Sequence, residues 1–135
     1  MRDTRSFVQY FRRTFAETSR RMLTPNEIIA AWEQFVESCE EGYGDILEEY
    51  ENDRAIRNQI EHLLNDRELN AHEEAGWFRS AITAIDDRFK SLLQDTLLPC
   101  REGRPWWEAR APRYAGSELA ADFRSQYGIE VRAVD

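Results

Sequence analysis

Apolar residues recur at helical spacing through most of this chain. Between residues 5 and 23, Phe7, Val8, Phe11, Phe15 and Met22 follow one line at 100° per residue, with Arg12, Arg13, Arg20 and Arg21 off it. That predicts a first helix over 5–22. Thr24-Pro25-Asn26-Glu27 then marks a helix start: Thr24 caps, Pro25 suits the first helical position, and Glu27 closes a capping box. From there Ile28, Ile29, Trp32, Phe35, Val36, Cys39, Tyr43, Ile46, Leu47 and Tyr50 keep one phase straight through Gly42 and Gly44. Two glycines cost a helix about 2 kcal/mol. The unbroken phase nonetheless favours a single second helix over 25–51, with any kink at 42–44.

The phase shifts after Glu51. Asn52 or Asp53 can cap a third helix over 53–65 that carries Ile56, Ile60, Leu63 and Leu64. Asn70 can cap a fourth over 70–95, with Phe78, Ala81, Ile82, Ile85, Phe89, Leu92 and Leu93 on its apolar line. Residues 99–105 read as loop from their prolines and glycine. Ser117 can cap a short helix over 117–127, and Gly128 fits its stop. Residues 129–134 alternate like a strand, and a lone strand must dock or pair. The expected fold is all-α: a single domain over 1–135, an antiparallel four-helix bundle with residues 96–135 wrapped onto it.

Composition narrows the class. The chain has 135 residues and is 41% hydrophobic, enough for one packed core and too apolar for a disordered chain. Its N-terminus lacks the apolar core of a leader, and no run of 18 apolar residues occurs, so no membrane association is expected. The only cysteines, Cys39 and Cys100, lack CxxC spacing and suit a reduced, cytoplasmic protein.

Motif searches return mostly exclusions. Gly42-x-Gly44 is followed by Leu47 where a phosphate loop needs a third glycine. Neither His62 nor His72 has a glutamate three residues before it, which removes the carboxylate-bridged di-iron pattern. Two cysteines and two histidines at these spacings assemble no zinc set. No metal or other cofactor is expected. An enzyme would have to draw on Asp86, Glu74 or Cys100. For Asp86 and Glu74 a polar helix edge is the simpler reading, and Cys39 sits on the apolar line as a core thiol.

Charge is segregated. Net charge is −8, yet residues 1–23 hold six arginines against Asp3 and Glu17. Residues 33–53 hold nine carboxylates and no basic residue. On a continuous second helix, Glu33, Glu37, Glu40, Glu41, Glu48 and Glu51 would form one acidic stripe opposite the apolar line. Such a stripe is a solvated face relieved by arginines, a mimic of nucleic-acid phosphates, or a surface that steers a basic protein partner. Direct nucleic-acid binding is disfavoured at this charge. Trp106 and Trp107, beside Arg104 and Arg110, form a second candidate surface, since Trp flanked by Arg is common at binding hot spots. The alternative for that pair is a clamp pinning the tail. The leading expectation is therefore an acidic interaction module that binds and blocks or scaffolds a basic partner, in the manner of a bacterial immunity or inhibitor protein. The rivals are a small enzyme with a non-motif site and a structural homodimer.

Overall fold

The capping box forms as its residues dictate. Thr24 N–H donates to Glu27 Oε1 at 2.9 Å, Glu27 N–H donates to Thr24 Oγ1 at 3.2 Å, and the helix starts at Pro25. A computed structural model describes residues 4–19, 23–99 and 103–134, and it is mostly helical. Its helices are α1 (Thr4–Ser19), α2 (Pro25–Glu40), α3 (Leu47–Arg54), α4 (Ile56–Leu64), α5 (Arg67–Asn70), α6 (Glu74–Lys90) and α7 (Ser117–Tyr127). Strands β1 (Tyr114–Ala115) and β2 (Arg132–Ala133) pair in parallel, Tyr114 opposite Arg132 and Ala115 opposite Ala133. Residues 20–22, the predicted end of the first helix, lie outside the described residues.

Two compact units emerge, one of residues 1–33 and 54–85, the other of residues 34–53 and 86–135. In the first, α1 packs on α4 and α5. Phe7, Phe11, Phe15, Ile28, Trp32, Ile60, Leu63 and Phe78 are buried there, and the Phe11 and Phe78 rings meet edge to face at 5.0 Å. In the second, Tyr50 is surrounded by Phe35, Tyr43 and Phe123 with ring centroids 5.3–5.9 Å away. Cys39, Phe89, Leu93, Trp107, Leu119 and Val131 are also buried in that unit.

The single helix predicted over 25–51 does not form. α2 ends at Glu40, and α3 starts at Leu47 after a six-residue turn. Gly42 takes φ +95°, a backbone state that side-chain-bearing residues rarely adopt. A Cβ there would also lie 2.5 Å from Val134 Cγ2. The apolar phase survived the break because Tyr43, Leu47 and Tyr50 all still turn inward, from a turn and a second helix. Ile46 alone falls out of line, at 40% exposure. The new start is capped from afar: Asp122 Oδ2 accepts from Leu47 N–H at 2.9 Å.

Three further boundaries differ from expectation. The helix predicted over 53–65 divides at Ala55, and no side chain caps α4. Asp53 instead accepts a 2.6 Å hydrogen bond from the Tyr43 hydroxyl. Asn70 does not open the fourth helix but closes α5, its amide donating to the carbonyls of Leu64 and Asp66. α6 then stops at Lys90 rather than 95, because the following residues pair with another segment. Leu92 C=O accepts from Arg113 N–H at 2.7 Å, Gln94 N–H donates to Ala111 C=O at 2.9 Å, and Leu98 N–H to Ala109 C=O at 2.8 Å.

α7 runs over 117–127 as predicted, and Gly128 ends it. Its cap position is Gly116 rather than Ser117. A Cβ on Gly116 would lie 2.8 Å from Tyr43 C=O, the acceptor of the Gly116 N–H hydrogen bond. The predicted strand over 129–134 narrows to β2, fixed by hydrogen bonds from Arg132 N–H to Arg113 C=O and from Val134 N–H to Ala115 C=O. No helix among the described residues is long and apolar enough to cross a membrane.

Candidate functional sites

The helix break rearranges the predicted acidic stripe. Glu33 lies in the first unit and is half-buried; Glu37, Glu40, Glu41, Glu48 and Glu51 lie in the second. Glu40 is committed within the fold. Arg88 grips its carboxylate with two hydrogen bonds, Nη2 to Oε1 at 2.7 Å and Nε to Oε2 at 3.2 Å, and Tyr114 OH donates to its carbonyl at 2.7 Å. The Arg88 hydrogen bonds hold the Glu40 carboxyl below the ordinary carboxylate range.

The remaining carboxylates of this stretch are differently placed. Glu37, Glu41, Asp45, Glu48 and Glu49 are all exposed. Among the described residues, none of these five forms an ion pair with a cation. Glu51 is half-buried. The exposed group spans the end of α2, the turn and the start of α3. Its backbone is held by the Tyr43–Asp53 hydrogen bond, the Tyr43 C=O contact to Gly116 and the Asp122 cap. Burial is the main cause that pushes the Tyr43 hydroxyl far above its ordinary pKa, with the Asp53 hydrogen bond adding to it.

Trp106 and Trp107 part company. Trp107 is 4% exposed and belongs to the core, so it presents almost no surface to a partner. Trp106 is half-buried and meets Trp107 edge to face at 5.7 Å. It lines a groove of about 250 Å³ with Lys90, Leu93, Gln94, Arg110 and Arg113. The cations there are engaged locally. Lys90 Nζ sits 4.7 Å from the Trp106 ring centroid, Arg110 donates to the carbonyls of Gln94 and Asp95, and Arg113 pairs with Asp95 at 3.5 Å. Arg104 faces Glu108 at 3.7 Å instead. These contacts tie the 103–113 segment to residues 90–95.

A second groove, of about 500 Å³, opens in the first unit. Phe7, Val8, Pro25 and Trp77 give it apolar walls, and Trp77 is 50% exposed. Thr24, Asn26, Glu73 and Glu74 supply its polar edge. Of these residues, only Glu74 stands out in the sequence as a candidate. Trp77 sits off the apolar line of α6, which was the available signal.

The other candidate catalytic residues are not gathered at these grooves. Asp86 is 8% exposed and lines neither. Cys100 lies outside the described residues. Cys39 is buried in the core. His72 is half-buried, edge-on to Phe7 at 5.6 Å and stacked on Tyr10 at 6.4 Å. No metal-holding group of three or more His, Cys, Asp or Glu occurs among the described residues.

The sequence offered no warning of Arg57, only 3% exposed, whose guanidinium meets Glu61 at 2.9 Å. Burial pushes the Glu61 carboxyl upward, but hydrogen bonds from Arg57 and Asn65 outweigh it and hold the group below its ordinary range. Arg57 Nη1 points at a neighbour one turn along α4, so its role is structural. No protein-family model, curated protein or solved structure matches the chain.

Proposed function

We propose that this protein is a binding module whose acidic segment engages a basic protein partner and blocks or scaffolds it. One observation carries the reading. Glu37, Glu41, Asp45, Glu48 and Glu49 are exposed within a single helix–turn–helix stretch, and none has an ion-pairing cation among the described residues. Like charges packed this closely repel, and Arg88 relieves Glu40 rather than any of these five. Cations brought by a partner would remove that repulsion, and the field of the segment would speed their encounter.

The enzymatic alternative has less in its favour, since buried Asp86 lines neither groove. The test is affinity capture at low and high salt with the native protein and a Glu37→Lys/Glu41→Lys/Glu48→Lys variant. Glu40 is spared because it holds Arg88. The expected result is a basic protein retained at low salt, released at high salt and missed by the variant. Equal capture by both proteins, or no salt-sensitive partner, would contradict the proposal.

A further inference from the structure

We infer that the groove beside Trp106 is a binding site for a doubly charged phosphate group, free or carried on a small ester. It shares no residue with the acidic segment and goes beyond the function proposed above. Among the described residues, Lys90, Arg110 and Arg113 line it against a single carboxylate, Asp95. Backbone pairing fixes the frame that carries them: Gln94 N–H donates to Ala111 C=O, and Arg113 N–H to Leu92 C=O. The Trp106 ring positions one cation, with Lys90 Nζ 4.7 Å from its centroid. Arg110 is anchored through Nη1, which donates to the carbonyls of Gln94 and Asp95. Those acceptors are neutral, so the guanidinium keeps its full charge, and its Nε and Nη2 donors remain for a ligand. Arg113 meets Asp95 only at 3.5 Å, with the side chains 53% and 96% exposed. So solvated a pair is weak, and an anion in the groove can displace Asp95 from it.

Size and charge select the ligand. A volume of about 250 Å³ is below that of sites for whole drug-sized molecules and suits one head group. Three cations and one carboxylate leave an excess of two positive charges, which repels metal ions and amines. A carboxylate or sulfate ester brings one negative charge, whereas a phosphate monoester approaches two near neutral pH. Phosphate therefore matches the groove, and its oxygens take charge-assisted hydrogen bonds from guanidinium and ammonium donors. The rival reading is that these cations serve only to tether residues 103–113 to residues 90–95. Asp95 separates the two: as part of a tether it helps, and at an anion site it competes with the ligand.

The test follows the Trp106 indole N–H resonance, assigned with Trp106→Phe, in phosphate-free buffer at about pH 8, where the ester is doubly charged. Phenyl phosphate is titrated, then phenyl sulfate, which keeps the shape and removes one charge. Phenyl phosphate should shift the resonance saturably, and phenyl sulfate should bind at least about tenfold more weakly. Lys90→Gln/Arg113→Gln should erase that preference while the circular dichroism spectrum stays native; Arg110 is spared because it anchors the segment. Asp95→Asn should tighten phosphate binding several-fold. Inorganic phosphate supplies the last arm: binding equal to that of phenyl phosphate supports a site for the free ion, and weaker binding supports a site for an ester. No saturable shift, equal binding of phosphate and sulfate esters, or weaker phosphate binding by Asp95→Asn overturns the inference.

Discussion

Arg57 and Glu61 form a lopsided pair, since the cation is buried while the carboxylate is partly solvated. Removing the carboxylate takes one charged partner away from a buried guanidinium. Glu61→Gln should therefore cost about 1–2 kcal/mol, below the full penalty of a wholly buried pair because water reaches Glu61. Urea unfolding of the two proteins checks it. The titrating groups set the pH limits. Glu40 and Glu61 have folded pKa values held below the ordinary 4.5, so their stabilisation is complete above that value and lost as pH falls below it. Tyr43 has its folded value raised above the ordinary 10.0, so its stabilisation is complete below pH 10.0 and declines as pH rises beyond it. Melting temperature against pH should fall at both ends. Glu40→Gln/Glu61→Gln should flatten the acid limb, and Tyr43→Phe the alkaline one.

Helices α1 and α7, and the start of α2, were legible because their signals are local: spacing, a capping box, a glycine stop. The end of α2 was not. The apolar phase through 43–50 reported correctly which side chains turn inward, but inward-facing residues on a turn and on a new helix can mimic one continuous line. What breaks the helix is the fit of Gly42 against Val134 and the Asp122 cap on Leu47, both contacts between residues distant in the chain. Leu92 and Leu93 were misassigned for the same reason, because pairing with residues 109–113 overrides their helical spacing. The turn makes a direct prediction. Gly42→Ala adds strain at a positive φ and a Cβ in the space of Val134, so it should destabilise by about 2–4 kcal/mol. Val134→Ala in the same chain should return the steric part but not the backbone part. Hydrogen exchange at Val134 N–H, which is bonded to Ala115 C=O, should quicken in the single variant first.

At the scale of the whole molecule, the acidic stretch divides into a carboxylate held within the fold and carboxylates left exposed. The candidate surfaces were partly legible: the carboxylates of 37–49 are exposed, as their polarity implied, whereas Glu40 and Trp107 are taken up by the fold through Arg88 and the core. The groove beside Trp77 was not legible, since it joins residues from α1, α2 and α6 that only the packing assembles. The proposed function is recognition of a basic protein by the exposed acidic segment. The most direct measurement is calorimetric titration of the captured, purified partner with the native protein and with Glu37→Lys/Glu41→Lys/Glu48→Lys, each at about 0.05 and 0.5 M salt. Salt should weaken native binding at least about tenfold, the reversed variant should bind at least about tenfold more weakly at low salt, and the two should converge at high salt. Affinity indifferent to salt, or a variant that binds as tightly as the native protein at low salt, would contradict it.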